Sequence, residues 1–247
     1  MTLFLPIVVI GCAAPVAYNA NNGQVDVRSA SAALKQQGAE AFEQYKRKNP
    51  ISRNSAARAR VFRVANRLRP VASVPGSAWE FEVFEDSSAN AFALPGGKVG
   101  INTGLLRIAT TDAQLAAVVA HEMAHVTSNH AQSRVQRNQV IDLGSAVLGA
   151  VLGGAENSQQ VGQMAQQGGK VLFGLPFSRS QELEADRIGT IFMARAGYDP
   201  GAAVTLWQRM GASQQSNTPE FLSTHPVSST RIQKLQEFLP VARKQQR

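Results

Sequence analysis

The five residues His121-Glu122-Met123-Ala124-His125 restrict what this 247-residue chain can fold into more than any other part of it. Imidazoles four residues apart differ by about 40° around an α-helix, so on a helix both project from one face and can chelate one ion. Glu122 lies about 100° from His121 and is placed to reach a water on that ion rather than the ion itself. The flanking residues supply the helix. Thr111 and Gln114 fit a capping box, Leu115, Val118 and Val119 form an apolar face, and the helix is expected to run through the histidines to about residue 138.

Two histidines do not complete a hydrolytic metal site. Zinc in such a site takes three protein ligands and keeps a fourth position for a water, whose pKa it lowers to about 7, and Glu122 is the expected general base that activates this zinc-bound water. A second pair of candidates, Glu182 and Asp186, is again four apart and shares a helix face, whereas Glu184 lies about 200° from Glu182 and is expected to point away. One carboxylate suits the third ligand position and the other suits an acceptor that orients a ligating imidazole. Spacing does not say which is which, and taken alone this stretch reads as a surface helix paired through Arg179 and Arg187. His130, about 140° from His125 on a continued helix, reads as structural.

The rest of the chain reads as α+β and mostly helical, with a small β-meander against the active-site helix. Residues 28–48 and 52–69 have helical composition and spacing, punctuated by Pro50 and Pro70. Trp79 to Phe84 alternates apolar and acidic residues as a half-buried strand does, and residues 90–94, the turn Pro95-Gly96-Gly97 and residues 98–103 form a hairpin or meander. Residues 141–155 are apolar and small, too short to span a bilayer, and 157–169 are rich in Gln and Gly, as a loop near the site would be. A helix is expected from Ser178 or Ser180 to about Ala196, ended by Gly197. Another should follow Asp199-Pro200 to about Met210, and a last one should start near Ser228.

The formal charge of +8 is dispersed over helical segments without interleaved aromatics, which argues against a nucleic-acid partner. Cys12 is the only cysteine, so an intrachain disulfide and a cysteine metal cage are both excluded. It follows the apolar run Leu3 to Gly11, which has the length of a signal-peptide core although no Lys or Arg precedes it. Val9-Ile10-Gly11-Cys12 resembles the bacterial lipobox, whose cysteine is lipidated; an incidental buried thiol is the plainer alternative. The expected organisation is a signal peptide and lipobox at 1–12, a flexible tether at 13–27 and a single metallopeptidase domain at 28–247.

His121 to His125, Ser178-Arg179, Glu182 to Asp186, His225-Pro226 and Arg231 together resemble the gluzincin metallopeptidase family of the HtpX heat-shock protease and the CaaX prenyl protease (peptidase family M, number forty-eight). The similarity runs from about Phe81 to Arg231. With the lipobox-like Cys12 and no long membrane span, the chain is most similar to the small periplasmic lipoprotein branch. The resemblance implies a zincin-type fold and one Zn2+ per chain held by His121, His125 and Glu182, with Asp186 as the carboxylate behind them. It implies that the strand carrying Val99, Gly100, Ile101 and Asn102 is the edge that pairs with an extended substrate, as an exposed strand edge can. It also implies a role for His225, either capping the zinc and holding the enzyme latent or assisting the oxyanion, and it leaves Arg231 to pair with a site carboxylate or anchor substrate.

The leading expectation is therefore a zinc-dependent metalloendopeptidase in the periplasm, lipid-anchored to the inner face of the outer membrane, that hydrolyses unfolded or misassembled envelope proteins. The alternative is a latent, chaperone-like peptide-binding lipoprotein with its zinc site closed by His225.

Overall fold

A computed structural model describes residues 18–19, 21–137, 176–212 and 219–246. Cys12 with its apolar run, the small-residue stretch 141–155 and the Gln- and Gly-rich stretch 157–169 lie outside the described residues. The fold is α+β and mostly helical. In chain order it comprises α1 (Ala32–Lys48), α2 (Ser55–Leu68), β1 (Glu80–Phe84), β2 (Ala91–Leu94), β3 (Lys98–Asn102), the single turn α3 (Leu105–Ile108), α4 (Asp112–Thr127), a further helical stretch at 130–137, α5 (Arg179–Arg195), α6 (Gly201–Ala212), the single turn α7 (Phe221–Thr224) and α8 (Ser229–Arg243).

Helix α4 is the centre of the molecule. Thr111 accepts from the Gln114 amide and the Gln114 side chain returns to the cap, so the expected capping box starts it. From Gln114 to His125 every residue is buried, as befits a helix enclosed on all sides. It packs on α2, α5, α6 and β2. Leu115, Val118, Val119 and Met123 are fully buried, and each contributes roughly 1.5–3 kcal/mol through the apolar surface it removes from water. A small-residue contact brings α5 against it. A Cβ added at Gly189 would sit 3.1 Å from the backbone nitrogen of His121, so glycine there lets the two helix backbones meet beside the histidines.

Helix α4 ends earlier than the expected residue 138. The chain turns at Ser128 and Asn129, the latter in the left-handed region at φ 56°, and then re-enters helix at His130. Asparagine tolerates that conformation better than most side-chain-bearing residues, which is why the break falls there. The consequence is that His130 is not 140° around from His125.

The sheet also departs from expectation. The 90–103 region is a hairpin as anticipated, β2 pairing antiparallel with β3 across the turn at 95–97, where Gly96 and Gly97 take φ 87° and 85°. The whole is not a meander, because β1 adds in parallel on the other side of β3 and the strand order is β1-β3-β2. Strand β3 is therefore the centre of the sheet and not its edge. Val99, Gly100, Ile101 and Asn102, expected as substrate-binding residues on a free edge, are buried and have their backbone paired on both sides. Alternating sequence marks a strand without marking which neighbours it will have; the free edge beside α4 belongs to β2.

Residues 18–19 and 21–27 lie on the fold rather than away from it. Tyr18 is buried, meets Phe238 edge-on and contacts Arg187, and Arg195 donates to the carbonyl of Gly23 at 3.1 Å. Arg28 then donates its amide to Thr127 at the end of α4. Among the described residues no helix is long and apolar enough to cross a membrane.

Candidate active site

Helix α4 presents His121, Glu122 and His125 to one side, and the first half of α5 presents Glu182 and Asp186 to the same point; all five are at most 3% exposed. A second capping box, Ser178 with Gln181, starts α5 one turn before Glu182 and fixes where its carboxylates fall. The short turn α7 delivers His225, whose amide donates to Phe221 at 3.0 Å and whose ring stacks on Phe221 with centroids 4.4 Å apart. Helix α8 delivers Arg231. Thus elements separated by more than a hundred residues meet in one buried cluster.

The cluster's donor atoms converge. His121, His125, Glu182 and His225 each offer one atom, all within 4.8 Å of one another. His121 Nε2 lies 3.0 Å from His125 Nε2, 3.2 Å from His225 Nδ1 and 3.5 Å from Glu182 Oε2. Glu182 Oε1 lies 3.4 Å from His125 Nε2 and 3.0 Å from His225 Nδ1. Four ligands around zinc at about 2.0–2.1 Å stand roughly 3.3 Å apart along the edges of the tetrahedron, so the 3.0–3.5 Å separations among these donors are of the size that a zinc ion requires. The set is also of the expected kind, imidazole and carboxylate with no thiolate.

Behind the donors stand groups that aim them. Asp186 Oδ1 is 3.0 Å from His121 Nδ1, close although not in line for a straight hydrogen bond. Arg231 holds Asp186 through two nitrogens, at 2.5 and 2.8 Å, and also contacts Glu182. Its guanidinium lies over Trp207, whose ring in turn meets His121 edge-on. Arg231 is thus paired with both carboxylates of the cluster.

Burial and charge set the protonation of these groups. Burial alone would lower His121, but the close carboxylates of Asp186 and Glu182 outweigh it and raise its pKa to about 9. His125, equally buried and facing Glu182 with no carboxylate on its other nitrogen, is held well below the ordinary value by that burial. Burial also works to raise Glu182, yet the charges of His225 and Arg231 hold it well below the usual carboxylate range. Glu122 goes the other way: burial pushes its carboxyl up, with the Ala93 backbone on β2 and the nearby His225 and His121 only partly opposing. Glu122 Oε1 is buried without a hydrogen bond, and His225 Nε2 lies 3.3 Å from it.

Two residues of this region were not anticipated from the sequence. His130 was read as structural and Glu184 as pointing away, but His130 Nδ1 is 2.9 Å from His125 Nδ1 and His130 Nε2 is 3.2 Å from Glu184 Oε2. The angle for His130 assumes an unbroken α4, and the Ser128-Asn129 turn removes that assumption; Glu184 does lie on another flank of α5 than Glu182, and the restarted helix brings His130 to it. Phe177 was not singled out either; its ring lies on His125 with centroids 3.8 Å apart and covers that side of the site.

Comparison with known proteins agrees with this geometry. Residues 55–239 match the sequence profile of Peptidase family M48. The mitochondrial metalloendopeptidase OMA1 of Schizosaccharomyces pombe is 39% identical over 184 residues, 74% of this chain and 53% of that protein. The human OMA1 metalloendopeptidase is 30% identical over 69% of this chain and 35% of its own length. The beta-barrel assembly-enhancing protease of Escherichia coli O157:H7 is 37% identical over 62% of this chain and 33% of its own length. The chain thus spans about half or less of the length of these relatives. The matched region runs from the start of α2 into α8 and carries every residue of the buried cluster, and the chain belongs to peptidase family M48.

Proposed function

We propose that this chain is a zinc-dependent metalloendopeptidase, carried above all by the convergence of His121, His125 and Glu182 donor atoms at tetrahedral spacing beside a buried Glu122. His121 and His125 would hold the ion through Nε2 and Glu182 through a carboxylate oxygen. What zinc supplies when bound is Lewis acidity, polarising a substrate carbonyl and making a water more acidic. Glu122 takes the proton of the attacking water on its carboxylate and returns it to the leaving amine. Its raised pKa brings it nearer to neutrality, where a group can do both. Asp186 fixes His121 with Nδ1 toward the carboxylate and Nε2 toward the centre, and Arg231 holds Asp186 in place.

Substrate would bind along β2. The Asn102 amide donates to Asn90, so alternate residues along β2, Ala91 and Ala93, turn their backbone groups away from β3. An extended peptide adding to that edge passes over Glu122, whose carboxyl meets the Ala93 backbone, and needs little sequence of its own to do so.

His225 occupies the fourth donor position with Nδ1 and faces Glu122 with Nε2. A four-ligand set is closed, whereas catalysis needs one position free, so this conformation reads as latent and opens when α7 carries His225 away. The relatives' names, an assembly-enhancing protease and mitochondrial endopeptidases, support proteins as substrates. The finer reading is a periplasmic lipoprotein, with signal peptide and lipobox at 1–12, Cys12 as the lipidated residue, residues 13–27 as a connection and the peptidase domain beyond. Its substrates are unfolded or misassembled envelope proteins.

Zinc content and cleavage of an unfolded protein test this, using wild type, Glu122→Gln and His225→Ala. Stoichiometric zinc in all three, cleavage abolished in Glu122→Gln and faster in His225→Ala, is the expected result. Zinc with no cleavage even in His225→Ala would remove the peptidase reading, and slower cleavage in that variant would make His225 a catalytic group instead of a latch. Mass spectrometry of the native N-terminus reads lipidation of Cys12 directly.

A further inference from the structure

The two histidine ligands are held in different ways, and the difference assigns a role to two residues outside the donor set. His121 turns Nδ1 directly to the Asp186 carboxylate at 3.0 Å. His125 turns Nδ1 not to a carboxylate but to Nδ1 of His130 at 2.9 Å, and His130 turns Nε2 to Glu184 Oε2 at 3.2 Å. Two ring nitrogens at that distance form one hydrogen bond in one direction only. If His125 offers its Nε2 lone pair to the cluster, its hydrogen is on Nδ1 and His130 must accept it; the remaining hydrogen of His130 is then on Nε2, where a carboxylate receives it. Each atom of the chain Glu184–His130–His125 is in the position that this single assignment requires.

We propose that His130 and Glu184 are positioning residues for the metal site, a relay that fixes the ring and the tautomer of His125 as Asp186 does for His121. The proposal rests on the zinc reading above. It explains three features at once: a histidine 3% exposed in a protein with four, an α5 carboxylate on the flank opposite Glu182 drawn toward the site, and the break at Asn129. On an unbroken helix His130 would lie about 140° from His125, so the turn is what delivers it. The Gln181 side chain donates to the His130 carbonyl at 3.3 Å and ties the restarted helix to α5.

The measurement is zinc affinity by competition with a chromogenic chelator, with the melting temperature of the metal-free form as a separate readout. His130→Phe should weaken zinc about 10- to 100-fold and Glu184→Ala about tenfold, as loss of a ligand's outer partner does. The double variant should be no weaker than His130→Phe, because both act through one nitrogen. His130→Gln, whose amide oxygen can accept from His125, should recover part of the affinity that His130→Phe loses. Affinity within about twofold of wild type in Glu184→Ala would overturn the relay, as would equal losses in His130→Phe and His130→Gln, which is what packing alone would produce. Glu184 is partly exposed, so its variant keeps the test decisive if His130→Phe does not fold. Wild type without stoichiometric zinc would defeat the metal site itself, whereas tight zinc unaffected by these changes defeats only the relay.

Discussion

Two arginine–aspartate pairs in this molecule have nearly the same contacts and opposite settings. Arg231 and Asp186 join α8 to α5 with nitrogen–oxygen distances of 2.5 and 2.8 Å, and their side chains are 4% and 1% exposed. Arg63 and Asp112 join α2 to α4 at 2.9 and 3.2 Å, with side chains 56% and 33% exposed and Arg60 as a second partner at 3.1 Å. The exposed pair trades water for protein contacts at nearly no net gain. The buried pair has lost its water, and the mutual attraction of the charges must offset several kcal/mol of desolvation per ion. A chain under pressure only to be stable has little reason to bury Arg231, Asp186, Glu182, Glu122 and three histidines at one point. That concentration marks the site more surely than any single motif, because its purpose is to aim donor atoms.

The sharpest way to break this contrast is Arg231→Ala. It leaves Asp186 and Glu182 buried without their cation and should cost about 3–5 kcal/mol in denaturant unfolding. A loss under about 1 kcal/mol would place the buried pair in the same class as the exposed one. Asp186→Asn should weaken zinc about 10- to 100-fold, or roughly 1.4–2.8 kcal/mol, in chelator competition. Gly189→Ala sharpens the comparison from the backbone side. Alanine favours helix by up to about 1 kcal/mol, but its methyl meets the His121 backbone, so the variant should melt lower and hold zinc less well. The smallest effect belongs to Asp112→Asn, under about 1 kcal/mol and shrinking with added salt. Its sign follows from the carboxyl, which the hydrogen bond from Arg63 holds below its ordinary value against the opposing effect of burial. The contribution is therefore fully present above the unfolded pKa of about 3.9, and is lost as pH falls through the lower folded value. A pH titration of stability in Asp112→Asn should match wild type in shape between pH 5 and 8 and differ only in acid.

Much of this was legible along the chain because it is local. Thr111 with Gln114 and Ser178 with Gln181 start their helices as capping chemistry requires, and Gly197 at φ 75° ends α5. Four-residue spacing placed His121 with His125 and Glu182 with Asp186 on shared faces, and the family resemblance assigned Glu182 to the donor set, where its oxygens now stand. What misled was non-local. Lys98 to Asn102 alternates like an edge strand yet is the central one, because strand order is decided by which strands meet and not by any one strand's pattern. His130 falls outside the site only when its angle is counted on a helix that in fact breaks one residue before it, and Glu184, on another flank of α5 than Glu182, joins the cluster only through the displaced His130.

The division follows from the range of the forces involved. Helix starts, helix faces and ligand spacing depend on residues within about one turn of each other, so the amino-acid order is enough to establish them. Which carboxylate faces which imidazole, which strand edge lies open beside Glu122, and that His225 joins the cluster depend on segments about 30 to 105 residues apart being driven together by burial. Only the assembled core holds them there, and only there do four scattered side chains become one cluster able to hold a metal ion.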